Sequence, residues 1–86
     1  MRVIEIKDVR RKDIPLYYRR EFSCSAVLEL LHARTEKPVE FIIEQKPSGG
    51  YDVSVTVLEE IDYPLVPIVS TLKTFILDLD KKGSLP

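Results

Sequence analysis

The sequence predicts an α+β domain: an antiparallel β-sheet of three to five strands with one C-terminal helix packed on one face. Three observations carry this. Apolar residues recur at helical spacing from Leu65 to Leu79, they alternate at period two through Phe22–Ala33 and Tyr51–Glu59, and Pro47-Ser48-Gly49-Gly50 punctuates the space between two strand-like runs. Eighty-six residues make a single domain, 1–86, divided into an N-terminal strand or arm (1–20), an antiparallel meander (22–59) and an amphipathic helix (64–82).

Taken in order, Val3, Ile4 and Ile6 suit a short strand, followed by the charged run Lys7–Asp13. Proline disfavours the helical region for the residue before it, so Ile14-Pro15 is extended, and Leu16, Tyr18, Arg20 and Phe22 continue as a strand. Through Phe22–Ala33 the even positions are apolar at period two. Val39–Lys46 and Tyr51–Glu59 flank the Pro-Ser-Gly-Gly turn; the alternation of Val53, Val55 and Val57 with Asp52, Ser54 and Thr56 is the strongest strand signal in the chain.

A one-residue slip turns every side chain to the wrong face, so register can be argued. Pairing Lys46 with Asp52 opposes Phe41 to Val57 and Ile43 to Val55, and sets opposite charges together. With the preceding turn at Arg34–Lys37, pairing Ala33 with Pro38 opposes Leu30 to Phe41 and Leu28 to Ile43. One apolar face results: Leu28, Leu30, Val39, Phe41, Ile43, Val53, Val55 and Val57.

The helix covers that face. At 100° per residue Leu65, Ile68, Val69, Leu72, Phe75, Ile76 and Leu79 share one arc, with Ser70, Thr74, Asp78 and Lys81 opposite. Pro64 and Pro67 fit only the first turn, Asp62 suits the positive end of the helix dipole, and Gly83 fits just past the last turn.

Composition narrows the function classes. A chain that is 44% hydrophobic and 31% charged is not disordered throughout, and a net charge of −1 argues against a protein that coats nucleic acid generally. The charge is asymmetric: residues 1–34 hold eight Lys/Arg against five Asp/Glu, and residues 35–86 hold five against nine. No signal-peptide pattern, no span of about 20 apolar residues and a single cysteine lead to the expectation of a cytoplasmic protein without a disulfide partner and without membrane attachment.

No residue cluster has catalytic spacing. Cys24 and His32 lie eight residues apart on one strand, about 26 Å, beyond reach of each other. Glu59, Glu60 and Asp62 lack the ligand spacing of a calcium loop, and Ser48-Gly49-Gly50 joins two strands rather than a strand and a helix. The expectation is therefore a non-enzymatic protein with no catalytic residues, no metal and no cofactor.

Two features remain. Val27, Leu31, Ile42 and Leu58 fall on the sheet face away from the helix, with Val66 and Leu77 at the flank of the helix arc. An apolar set there marks a candidate interface for a protein partner or a second copy, acting through a sheet face or edge, unless residues 1–20 fold back over it. The alternative is a single-stranded nucleic-acid contact through Arg10, Arg11, Lys12, Tyr17, Tyr18, Arg19 and Arg20, since aromatic rings beside cations stack bases and neutralise phosphates. The strands-then-helix order is similar in topology to single-strand-binding modules of the transcriptional coactivator and Whirly type, a likeness of element order with no shared motif.

Overall fold

The computed structural model describes residues 1–86. Four strands, β1 (Arg2–Arg11), β2 (Arg19–Leu30), β3 (Ala33–Gln45) and β4 (Tyr51–Val57), form one antiparallel sheet in the order β1-β2-β3-β4. The helix α1 (Leu65–Lys81) follows and packs on one face. The α+β expectation therefore holds, with four strands.

Residues 1–20 do not fold over the sheet. The charged run joins β1, which extends the sheet as an edge strand; β2 starts at Arg19 rather than Leu16. β1 is irregular. Its register against β2 shifts between Val3 and Glu5 and again between Lys7 and Arg10, each time by one extra residue, and Asp8 sits at φ 54° inside the second bulge.

Both hairpin registers differ from the sequence expectation, each by an even number of residues. Leu30 pairs with Ala33, so the β2–β3 turn is Leu31-His32 and not Arg34–Lys37; Phe22 opposes Phe41 and Cys24 opposes Val39. The Phe22 and Phe41 rings stack at 4.7 Å. Between β3 and β4, Val39, Phe41 and Ile43 oppose Val57, Val55 and Val53. The expected register would have set Gln45 against Val53, whereas the observed one gives each core residue an apolar partner. It opposes Glu44 to Asp52, a repulsion offset by Arg19, which lies across from Glu44 on β2 and reaches its carboxylate at 3.8 Å. The tighter turn explains the shift: Lys46 N–H donates to Gly50 C=O and Gly49 N–H to Lys46 C=O, with Gly49 at φ 91° and Gly50 at φ 79°. Because both shifts are even, the apolar face survives them.

The core joins that face to α1. Phe22, Leu28, Val39, Phe41 and Ile43 from the sheet and Ile68, Leu72 and Ile76 from the helix are almost wholly buried, and no polar residue is buried with them. Burying three large helix side chains contributes roughly 5–9 kcal/mol before entropy is subtracted. Leu65, expected in the buried arc, is half exposed at the first helical position. Pro64 is the N-cap and makes no side-chain cap hydrogen bond; no acidic residue stands in the first turn, so Asp62 does not act there. The C-terminus is closed by Gly83 at φ 67°, with Gly83 N–H donating to Asp80 C=O and Ser84 N–H to Leu79 C=O.

Candidate binding surfaces

The sheet face away from α1 is polar. Lys7 holds Glu36 at 2.8 Å, Lys12 holds Glu40 at 3.3 Å, Arg2 and Arg34 converge on Glu29 at 3.5 and 3.9 Å, and Arg19 bridges Glu21 and Glu44. Hydrogen bonds from Lys7 and Ser25 keep the Glu36 carboxyl below its ordinary pKa. The four candidate interface residues are dispersed across this lattice. Val27 and Ile42 are half-buried and stand in different rows, Val27 beside Glu36 and Ile42 beside Glu21, six residues apart along β2 or about 20 Å. Leu31 is 80% exposed at the β2–β3 turn, and Leu58 is 50% exposed just past β4.

The edge of β4 is a different surface. In an antiparallel ladder, pairs that exchange both hydrogen bonds alternate with pairs that exchange none. Leu58 N–H donates to Pro38 C=O and Lys46 N–H to Gly50 C=O, both 3.0 Å, so the even-numbered residues of β4 direct their amides toward β3. Tyr51, Val53, Val55 and Val57 direct theirs outward. β4 has no second neighbour in the sheet, and no turn or loop bonds to those four residues. This edge contains no proline, no bulge and no positive φ.

A helix flank borders that edge. Leu65 and Val57 line one hollow while Leu77 and Tyr51 line another, so α1 runs antiparallel to β4. Val66, Val69, Lys73 and Leu77 share an arc of about 80° on that flank. Val66 is 81% exposed, and with Leu65, Val69 and Lys73 it lines a shallow groove of about 340 Å³.

The third surface lies at the Tyr51 end. Gln45 N–H donates to Tyr18 C=O at 2.8 Å, which pins the chain entering β2 against the end of β3. Beyond it Tyr17 projects, 93% exposed and edge-on to Tyr18 with ring centroids 5.6 Å apart. Both tyrosines, Tyr51, Gln45 and Lys81 surround a cleft of about 470 Å³ floored by Ile43 and Leu77. Arg20 crosses it to Asp80 on α1 through two hydrogen bonds of 2.8 and 3.0 Å, with its guanidinium 5.9 Å from the Tyr51 ring centre. That pairing holds the Asp80 carboxyl below its ordinary pKa and raises that of Arg20. On the other side of the tyrosines, Lys46 borders a second hollow.

With these surfaces in place, a comparison with protein families is informative: one family model, which carries a locus-tag designation and no functional description, matches residues 1–81. The chain belongs to that family. No curated protein and no solved structure matches it. The family match ends on the last residue of α1, so it takes in all four strands and the helix.

In this member of the family the seven candidate nucleic-acid residues do not act together. Arg19 and Arg20 point to opposite faces, one toward Glu21 and Glu44, the other toward Asp80. Lys12 is held by Glu40; Arg10 and Arg11 end β1 without an ion-pair partner, and only Tyr17, Tyr18 and Arg20 meet at the cleft. Sequence reasoning missed Gln45, Lys46, Tyr51, Asp80 and Lys81, which come from three other segments. Cys24 is buried under α1, and burial pushes its thiol up to about 11. His32 sits in the exposed β2–β3 turn. No three His, Cys, Asp or Glu side chains are grouped to hold a metal ion, and no helix is long and apolar enough to cross a membrane.

Proposed function

We propose that this protein is a non-enzymatic association module whose working surface is the free edge of β4 with the adjoining flank of α1, and that the occupant is a second copy of the chain. The supporting observation is the row of outward amides and carbonyls at Tyr51, Val53, Val55 and Val57. An exposed regular edge is a template for another strand. The polar outer face, where each of five glutamates has a cation partner, offers no comparable surface.

Self-complementarity favours a second copy. Two β4 strands related by a two-fold axis through Ser54 would pair Tyr51 with the partner's Val57 and Val53 with the partner's Val55, engaging all four outward residues on each side. Asp52 then faces the partner's Thr56. A register centred on Asp52 opposes two carboxylates. In the Ser54-centred arrangement Val66 of one helix approaches the partner's Leu77, covering the exposed flank.

The test is sedimentation equilibrium with amide hydrogen exchange. A dimer is expected, with protected amides at Val53, Val55 and Val57. Val55→Pro removes an outward N–H and yields a folded monomer, while Thr56→Pro breaks the bond to β3 and unfolds the hairpin. A protein that stays monomeric at about 100 μM, with those three amides exchanging freely, overturns the proposal.

A further inference from the structure

Three exposed tyrosines gather at the end of the molecule away from the acidic Glu59–Asp62 segment. The Tyr17 ring is in water over nearly its whole surface, and no packing role accounts for it. Tyr18 supports it edge-on, so the Tyr17 faces stay open. Tyr51 forms the opposite wall, with Arg20 lying over its ring and fixed to Asp80. The nearby carboxylates are already engaged, Asp80 by Arg20 and Glu44 by Arg19, whereas Lys46 and Lys81 at the rim have no ion-pair partner. A cleft of about 470 Å³ lies in the ordinary ligand range of about 300–1,000 Å³.

We infer that this cleft binds single-stranded nucleic acid, stacking unpaired bases on Tyr17 and Tyr51 while Lys46 and Lys81 meet the flanking phosphates. Aromatic faces beside free cations are the chemistry of a single-strand platform. A duplex keeps its base faces stacked inside and offers these rings nothing. Aromatic grooves also take polyproline helices, but a proline-rich segment makes no use of two unpaired lysines. With a net charge of −1 the whole molecule supplies little long-range attraction, so binding is a low-salt event set by local contacts. The site is separate from the β4 edge pairing, because Tyr17 and Lys46 lie outside β4.

Because the chain has no tryptophan, its tyrosine emission reads the site directly. A fluorescein-labelled oligothymidylate is titrated with the full-length protein at 20 mM salt, following both anisotropy and tyrosine quenching. Binding is expected, with the duplex at least tenfold weaker. Tyr17→Ala weakens it about five- to hundredfold, and Tyr17→Phe leaves it unchanged. Two neutralised phosphates give a log–log salt slope of about −1.4, which Lys46→Ala halves. Tyr17 is exposed enough for its variants to keep the wild-type circular dichroism. Three results each overturn the inference: no binding at 20 mM salt, binding indifferent to both Tyr17→Ala and Lys46→Ala, or quenching by a proline-rich peptide but by no oligonucleotide.

Discussion

The bond between Arg20 and Asp80 ties the last turn of α1 to the start of β2, 60 residues earlier in the chain. A double-mutant cycle of Arg20→Gln, Asp80→Asn and the double variant isolates its energy. Two parallel charge-assisted hydrogen bonds, with side chains 24% and 18% exposed, place the pair between a surface ion pair of about 0–1 kcal/mol and a buried one. Hydrogen bonds to charged groups contribute about 1.5–3 kcal/mol. Partial solvent screening brings the expected coupling to about 1.5–2 kcal/mol. For a domain of this size that is a fall in Tm of roughly 6–16 °C. The pH dependence has a definite sign. The carboxyl of Asp80 is depressed in the folded state, so its contribution is present above the unfolded carboxylate range near 4 and is lost as pH falls through the folded value. Asp80→Asn therefore flattens the acid limb of stability. Urea unfolding of the four proteins at pH 7 and at pH 3 is the assay. A coupling below about 0.5 kcal/mol at pH 7, or one that survives unchanged at pH 3, refutes the reasoning.

Other consequences are simpler. Phe22→Ala removes a fully buried ring stacked on Phe41 and should cost about 3–5 kcal/mol, enough to unfold much of the protein at 37 °C as read by circular dichroism. Gly49→Ala and Gly83→Ala meet no steric obstacle but sit at φ 91° and 67°, so each should cost about 1 kcal/mol in urea unfolding from backbone strain alone. With its pKa raised to about 11 and its side chain under the helix, Cys24 should resist a thiol-specific reagent at pH 8, and its labelling should track global unfolding.

The helix and the apolar sheet face were legible because period alone determines them. Val53, Val55 and Val57 face the core in any register shifted by an even number, so the face was readable although both hairpin registers were not. The β2–β3 turn left no mark. Leu31 and His32 carry negative φ, and a two-residue loop without glycine or asparagine looks like strand in a sequence. β1 was obscured for the opposite reason: two bulges break its alternation, so a ten-residue strand reads as charged coil. Of the cleft, only the local pair Tyr17-Tyr18 and Arg20 were visible. Asp80 and Tyr51 join them through a helix ending and a hairpin end that meet only in space, and no spacing rule spans such distances.

The bulges of β1 have a bearing on valency. A sheet with two regular edges is a two-ended link, and each copy added to one end exposes another end, without limit. Here one edge is straight and the other is kinked by Asp8 and studded with Lys7, Arg10 and Arg11. The molecule is thus one-handed: any growth through its sheet ends after a single step, in a closed pair and not a filament.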